Sequence, residues 1–133
     1  MHIEIRAPKR SEYTFINNLI SQAFKVQTAP IELSFFTNPN IHCLVAIHGK
    51  ILLGTASLHI IQKSSRKMGL IEDVVVDSKT QGKGVGKKLV EQLLLKAAEM
   101  NCYKTILNAT NENSGFYTKL GFKKEQLQFT IRH

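Results

Sequence analysis

The stretch Gln81-Gly82-Lys83-Gly84-Val85-Gly86 decides the fold, because it joins two runs of different periodicity. The apolar run Ile71–Val76 before it predicts a strand, and the apolar spacing from Val85 to Met100 predicts a helix. Alternate glycines remove side chains from the turn, so its backbone N–H groups can crowd around an anion. The start of a helix adds unpaired N–H groups and a partial positive charge. This arrangement predicts a phosphate cradle, and with it a ligand that carries a pyrophosphate.

The composition is that of an ordinary globular protein. The chain has 133 residues, of which 43% are hydrophobic and 21% charged, so we expect residues 1–133 to form one domain with a buried core. No apolar run approaches the roughly 20 residues that span a bilayer, and residues 1–10 lack the apolar segment of a secretory signal. Cys43 and Cys102 have no metal-type spacing. We expect reduced thiols in a cytoplasmic protein without a bound metal.

The chain is strongly basic, with a net charge of +8. A basic protein attracts nucleic acid, but it equally attracts small phosphorylated ligands. The basic residues are not interleaved with aromatic residues as a base-stacking platform requires. We therefore interpret the charge as phosphate attraction plus a solvated surface, and expect neither a nucleic-acid nor a membrane partner. The basic residues in question are Lys63, Arg66, Lys67, Lys79, Lys83, Lys87, Lys88, Lys123 and Lys124.

Period-two and helical spacings alternate along the rest of the chain. Ser11 is the predicted cap of the first helix, and Gly121 is placed to end the last one. The order β-α-β-β-β-α-β-α-β predicts an α/β fold with a central mixed sheet flanked by helices. The predicted strands are 2–6, 44–47, 51–61, 68–76, 104–109 and 126–132, and the predicted helices are 12–24, 85–100 and 113–120.

Three kinds of phosphate-binding turn compete for the glycine segment. A P-loop needs Gly-x-x-x-x-Gly-Lys followed by Ser or Thr, which the chain lacks. A Rossmann turn needs Gly-x-Gly-x-x-Gly, whereas the glycines here alternate and hairpin-like strands precede them. The third is the Gln/Arg-x-x-Gly-x-Gly/Ala turn of the GNAT N-acetyltransferase superfamily, which Gln81, Gly84 and Gly86 resemble. A glycine-rich loop without a ligand is the remaining alternative.

The flanking sequence is similar to one branch of that superfamily. Ile71-Glu72-Asp73-Val74-Val75-Val76, Asn101-Cys102-Tyr103-Lys104 and the Asn-x-x-x-Phe-Tyr-x-x-x-Gly-Phe run from Asn113 to Phe122 resemble eukaryotic-type glucosamine-6-phosphate N-acetyltransferases. The resemblance covers residues 69–133. It implies the GNAT acyl-CoA N-acyltransferase fold and acetyl transfer from acetyl-CoA to the 2-amine of glucosamine 6-phosphate, a step of UDP-N-acetylglucosamine synthesis.

The resemblance also implies an acetyl-CoA site. The turn, composed of Gln81, Gly82, Lys83, Gly84, Val85 and Gly86, would hold the pyrophosphate, and the strand residues Val74, Val75 and Val76 would lie along the pantetheine arm. The N–H of Val74 is the expected donor to the thioester carbonyl. Tyr117 would face the CoA sulfur and protonate it; otherwise it is a core aromatic. Asn113 would bond the CoA arm, cap the short helix, or do both.

The resemblance also implies a site for the amino sugar, and at one position this chain departs from the family. Glu72 and Asp73 are adjacent on a strand, so their side chains are expected on opposite faces. Asp73 would orient the amine, and Glu72 would lie at the sugar site. Asn108 departs from the family, which usually carries Asp or Glu there. An amide can accept a hydrogen bond from the amine but cannot take its proton.

Three further residues are expected at the sugar phosphate or near it. Arg132 would reach the phosphate from the partner subunit of a homodimer through exchanged C-terminal strands. Lys63 approaches the same phosphate, and Thr28 contacts the substrate. Because of Asn108, acetyl transfer to another amine remains an alternative. A non-catalytic acyl-CoA-binding module and a nucleic-acid-binding domain are alternatives of other classes.

Overall fold

A central sheet of five strands separates two helical layers in the computed structural model, which describes residues 1–25 and 29–133. The first four strands pair antiparallel in chain order, and the last pairs parallel to the fourth. This mixed sheet flanked by helices confirms the predicted fold class. The strands are β1 Glu4–Arg6, β2 Ile41–His48, β3 Ile51–Gln62, β4 Lys67–Val76 and β5 Cys102–Ile106, and the helices are α1 Tyr13–Phe24, α2 Leu33–Thr37, α3 Val85–Glu99 and α4 Asn111–Lys119.

Each face of the sheet has its own core. On one face, buried residues of α3 such as Leu89 and Leu93 pack with Leu58 of β3, and all three are 0% exposed. Each such burial stabilises the fold by about 1.5–3 kcal/mol. On the other face, Ile16 of α1 packs with Val45 of β2, and aromatic residues of α2 lie against them.

Gly54 sets the position of α3. A Cβ atom added there would lie 2.9 Å from the carbonyl oxygen of Val75 and 3.1 Å from the side chain of Val85. The missing side chain therefore lets the first turn of α3 rest directly on β3 and β4. This contact holds the start of the helix beside the end of β4, where the glycine turn lies.

The sheet opens between its two parallel strands. The last register pair joins Leu70 of β4 to Ile106 of β5, although β4 continues to Val76. The edge of residues 71–76 that faces away from β3 has no β5 partner in this register. An unpaired strand edge carries N–H and C=O groups that can bind an extended ligand.

The predicted final strand is not formed within the single chain. Residues 123–133 have no regular structure, and Leu127, Phe129 and Ile131 are 83%, 91% and 83% exposed. Their alternation has the period of a strand, but they pair with no strand within the described residues, although β5 ends the sheet.

Smaller differences have local causes. The predicted helical cap at Ser11 is wrong, because Ser11 lies inside a 3₁₀ turn, Arg10–Glu12, in which Glu12 Oε1 accepts the N–H of Lys9 at 2.7 Å.

Sequence patterns missed α2, which has only five residues and therefore too little length to show a helical period. β5 covers Cys102–Ile106 rather than residues 104–109. Gly121 follows the end of α4 with φ +101, as predicted.

Candidate functional site

The glycine turn opens directly into α3. Gly82 and Gly84 have φ +84 and +81, a left-handed conformation that favours glycine, and Gly84 is the N-cap of the helix. The preceding segment is fixed to the sheet, because the N–H of Asp77 donates to Leu53 and Asp77 Oδ1 accepts the N–H of Lys79 at 2.9 Å. The first N–H groups of α3 lack partners within the helix and point out of its start.

The electrostatics of this turn favour an anion. The first turn of α3 carries no acidic residue. Lys83, Lys87 and Lys88 lie in or just after the turn and are exposed. Their charges add to the partial positive charge of the helix start. The turn therefore combines two glycines at positive φ with exposed positive charge, and its binding of a phosphate stays a prediction.

Asp73 and Val74 form a β-bulge next to this turn. Thr55 of β3 pairs with Val75 of β4, and Ser57 pairs with Glu72. Asp73 and Val74 therefore lie opposite the single residue Ala56. Asp73 has φ +51, an uncommon conformation for a residue other than glycine. A bulge leaves one residue without a ladder partner. The bulge interrupts the regular alternation from which we expect Glu72 and Asp73 to point to opposite faces, so that expectation stays a prediction.

The strand residues around the bulge differ in exposure. Val75 is buried, at 5% exposed, whereas Glu72, Asp73, Val74 and Val76 are half-buried. Val74 and Val76 pack against the core cluster beneath α3. The half-buried carboxylates therefore lie where the sheet opens.

Tyr117 packs against that same core from α4. Its ring makes edge contacts with Phe116 at 4.9 Å and Phe122 at 5.9 Å between centroids. Burial raises the pKa of the Tyr117 phenol above its ordinary value, because it disfavours the phenolate. The hydroxyl is therefore held in its protonated form, as a proton donor requires.

Phe116 joins α4 to the glycine turn. A Cβ added at Gly86 would lie 3.4 Å from the Phe116 ring and 3.5 Å from Val76. The structure thus brings together three parts that the sequence separates: the end of β4, the start of α3 and the helix that carries Tyr117.

The other predicted site residues of the described chain lie in α4, in two loops and in the C-terminal tail. Thr110 is the N-cap of α4, so the capping role considered for Asn113 is wrong; the N–H of Asn113 donates to Thr110 at 3.0 Å. Asn108 is exposed in the loop after β5, not on a strand as predicted. Lys63 is exposed in the turn between β3 and β4, and Arg132 is exposed in the C-terminal tail. Thr28 lies outside the described residues.

Sequence reasoning missed a polar group beside the bulge. Ser57 Oγ donates to the carbonyl oxygen of Glu72 at 3.2 Å and lies 3.1 Å from His59 Nε2. Thr55, Ser57 and His59 alternate along a strand whose other residues, apart from the terminal Gln62, are apolar. A polar stripe with period two on a buried strand was the available signal.

A cavity of about 540 Å³ lies elsewhere, between the start of β2 and the second half of α3. Of the described residues, none that the sequence predicts for the site lines this cavity. An open strand edge is a groove rather than an enclosed space, so the two features are distinct. Within residues 1–25 and 29–133, no helix is long and apolar enough to cross a membrane, and no group of three His, Cys, Asp or Glu side chains is placed to hold a metal ion.

The chain is similar to known proteins both in sequence and in fold. A glucosamine 6-phosphate N-acetyltransferase of Arabidopsis thaliana is 39% identical over 104 residues, which cover 74% of this chain and 69% of that protein. Glucosamine 6-phosphate N-acetyltransferase 1 of Oryza sativa subsp. japonica is 44% identical over 65 residues, which cover 49% of this chain and only 39% of the relative. The crystal structure of the Arabidopsis thaliana glucosamine-6-phosphate N-acetyltransferase is similar, with a TM-score of 0.85 at 31% identity and 99% of each chain covered.

The match to the family as a whole is broader. The model of the acetyltransferase (GNAT) family matches residues 10–122, a range that includes the bulge, the glycine turn and Tyr117. The expected acyltransferase fold is confirmed by this match and by the Arabidopsis structure. The chain belongs to the GNAT family of acetyltransferases.

Proposed function

We propose that this protein transfers the acetyl group of acetyl-CoA to the 2-amine of glucosamine 6-phosphate, giving N-acetylglucosamine 6-phosphate and CoA. The observation that carries the proposal is the convergence of the β4 bulge, the glycine turn and Tyr117 at the open end of the sheet. Two relatives that bear this activity in their names are 39% and 44% identical over their aligned residues. Residues 1–133 would work as one acetyltransferase domain in the synthesis of UDP-N-acetylglucosamine.

Acetyl-CoA would lie along the opened edge of β4. Backbone groups of Val74, Val75 and Val76 would pair with the pantetheine arm, as a partner strand would. The turn from Gln81 to Gly86 would receive the pyrophosphate through its N–H groups, with Lys83 adding charge. Asn113, in the first turn of α4, would donate to the arm from the opposite side.

Two groups would act on the thioester. The N–H of Val74 lies within the bulge, and a donor there would stabilise the oxygen that becomes anionic as the amine attacks. Tyr117 would protonate the leaving thiolate. The raised pKa of its phenol keeps the hydroxyl protonated before that step. Asp73, in its unusual backbone conformation, would orient the amine.

The sugar phosphate would bind on the side of the bulge that acetyl-CoA does not occupy. Glu72 and Asp73 would bind sugar hydroxyls, and Asn108 would accept a hydrogen bond from the amine. Arg132 and Lys63 would bind the phosphate, since a guanidinium donates to phosphate in pairs. Thr28 is proposed as a further contact to the sugar.

A homodimer would bring Arg132 to the site. The tail from 126 to 132 alternates apolar residues that are over 80% exposed in the single chain. β5 is the last strand of the sheet, so its outer edge is open. We propose that the tails are exchanged and pair with the partner's sheet, which buries Leu127, Phe129 and Ile131 and carries Arg132 across. The free thiols of Cys43 and Cys102 suit a cytoplasmic location.

A thiol-release assay with acetyl-CoA and a panel of amines tests the function. We expect release with glucosamine 6-phosphate and much less with glucosamine, because the latter lacks the phosphate. Release with a polyamine or peptide instead would favour the alternative acceptor that Asn108 leaves open. Binding of acetyl-CoA with no release for any amine would identify a binding module. Salt-dependent DNA binding without acetyl-CoA binding would favour the nucleic-acid alternative.

A further inference from the structure

Two hydroxyls of β3 are buried beside the bulge of β4. Thr55 and Ser57 are each 2% exposed, and they alternate along the strand, so they share one face of the sheet. A buried hydroxyl is costly without a partner, and each of these two donates to a backbone carbonyl. Thr55 Oγ1 donates to Leu44 of β2 at 2.9 Å. Ser57 Oγ donates to Glu72 of β4 at 3.2 Å, so the two hydroxyls bond to the strands on opposite sides of β3.

A third polar group sets the direction of the Ser57 hydroxyl. A carbonyl oxygen can only accept, so the hydroxyl hydrogen of Ser57 points to Glu72. Ser57 Oγ then accepts the N–H of His59 Nε2, which lies 3.1 Å away. The single donor of this hydroxyl is therefore committed to the Glu72 carbonyl.

The accepting carbonyl belongs to the peptide unit that leads into the bulge. Its C=O is that of Glu72 and its N–H is that of Asp73, and the planarity of the peptide makes the two groups turn together. Asp73 has φ +51, a strained conformation for a residue with a side chain. The bond from Ser57 therefore fixes the orientation of the peptide on which this strained angle depends.

The ladder on both sides of the bulge leaves this peptide as the part that can move most easily. Glu72 pairs with Ser57 before the bulge, and Val75 pairs with Thr55 after it. Because the flanking residues are held, Asp73 reaches a negative φ most simply if the peptide before it flips. Such a flip turns the Glu72 carbonyl away from Ser57, and the buried hydroxyl loses its acceptor. The hydroxyl thus opposes relaxation of the bulge.

We infer that Ser57 is a positioning residue for acetyl transfer, because its hydroxyl holds the bulge in the strained conformation in which Val74 presents its N–H. This inference rests on the proposed function, in which that N–H stabilises the oxygen of the thioester as it becomes anionic. Such a donor is effective when its direction is fixed before the charge develops. Since Ser57 is 2% exposed, it acts through the backbone of the bulge rather than by contact with a substrate.

Ser57→Ala and Thr55→Val form a matched pair of variants. Each removes one buried hydroxyl that donates to a carbonyl, so both should lower the melting temperature by about 3–5 °C. Only Ser57→Ala removes the bond to the bulge. It should lower kcat by about tenfold, which is less than the roughly 10²–10³-fold loss expected when an oxyanion donor is removed altogether. Steady-state thiol release should show the wild-type kcat for Thr55→Val.

Three further measurements separate positioning from a loss of stability. The KM of Ser57→Ala for acetyl-CoA should stay within about twofold of wild type, because the lost interaction acts on the transition state. Ser57→Thr keeps a hydroxyl and should recover most of the lost kcat. NMR of the protein without ligands reports on Asp73 directly, because a positive φ brings the amide hydrogen close to Hα of the same residue. Wild type and Thr55→Val should give a strong nuclear Overhauser effect between these two hydrogens, and Ser57→Ala a much weaker one.

Failure of this inference differs from failure of the proposed function. Wild-type protein that acetylates no amine overturns the function, and the positioning role falls with it. If the wild type is active, an equally active Ser57→Ala overturns the positioning role alone. An equal loss of kcat in Ser57→Ala and Thr55→Val does the same, since it would follow from stability. An unchanged NMR signal of Asp73 in Ser57→Ala, or a stable Ser57→Thr that is as slow as Ser57→Ala, also refutes the role of Ser57.

Discussion

The backbone N–H of Phe122 donates to the carbonyl oxygen of Tyr117 across 3.1 Å and closes the C-terminal end of α4. The N–H of Gly121 donates to Thr118 at 3.0 Å, which completes a Schellman motif. The rings of Phe122 and Tyr117 also meet, 5.9 Å apart. The helix end therefore fixes the position of the proposed proton donor.

Two glycines of this region should respond to alanine with opposite signs. Gly121→Ala forces φ +101 on a residue with a side chain and should destabilise the protein by roughly 1–2 kcal/mol. Gly115→Ala, in the middle of α4 with nothing within 4 Å of the added methyl, should stabilise it by about 0.5–1 kcal/mol. Urea unfolding measures both. Shifts of the same sign would contradict this account of the helix end.

Tyr117→Phe should reduce kcat by about 10²-fold and leave the KM for acetyl-CoA nearly unchanged, because only the hydroxyl is lost. The ring contacts with Phe116 and Phe122 are kept, so the melting temperature should hold. Tyr103→Phe is the control, since that ring is 40% exposed and stacks under Arg66. Steady-state thiol release distinguishes them. Equal rates in both variants would remove Tyr117 from the mechanism.

Substitutions at Asp73 should separate backbone strain from chemistry. Asn also tolerates a left-handed conformation, so Asp73→Asn should keep the melting temperature and lose activity. Asp73→Val places a β-branched residue at φ +51 and should cost roughly 1–2 kcal/mol of stability as well. Calorimetry and the thiol assay on both variants provide the test. A destabilised Asp73→Asn would mean that the carboxylate itself supports the bulge.

Acid should reduce the stability that the ion pair between Arg6 and Glu12 contributes where β1 leads into α1. Arg6 Nη1 and Nη2 donate to the two carboxylate oxygens of Glu12 at 2.8 and 2.9 Å, which lowers the pKa of Glu12 from 4.5 to about 2. A lowered folded-state pKa stabilises the protein above the unfolded value, and this stability is lost as the pH falls from 4.5 toward 2. The difference in unfolding free energy between wild type and Glu12→Gln should therefore shrink over that range. A constant difference would show that the ion pair does not contribute.

Arg132→Ala should raise the KM for glucosamine 6-phosphate by about tenfold or more, because a charged hydrogen bond to the phosphate is lost. The rate with unphosphorylated glucosamine should not change. Lys124→Ala removes the same charge from the exposed tail and is the control. Substrate-saturation curves for both variants decide the matter. If the two variants behave alike, Arg132 only adds to the general positive charge.

The sequence predicted the fold where one period extends over many residues. The helix from Val85 and the strands around Gly49 follow from such periods, and Gly84 and Gly121 mark the helix ends. The bulge at Asp73 escaped prediction because it depends on the register between β3 and β4, which no single strand encodes. The bond between Ser57 and Glu72 escaped for the same reason, since they are 15 residues apart.

The tail shows a different limit. Its alternating apolar residues have the period of a strand, but they remain 83–91% exposed in one chain. Local pattern determines which residues can form a strand, but it does not determine the edge with which they pair. The exchange of tails in a dimer therefore stays a proposal, since the periodicity of one chain does not encode a partner's edge.

Because the sheet opens after Leu70, the two parts of β4 before and after that residue differ in local stability. Up to that residue β4 pairs with strands on both sides, and beyond it β3 is the only strand in the described part of the chain that pairs with it. We therefore expect local opening to be easier in residues 71–76, the segment proposed to meet acetyl-CoA, than in the part of β4 that pairs on both sides. Ordering of that strand end and capture of the ligand then become one coupled equilibrium, in which the ligand serves as the missing neighbour.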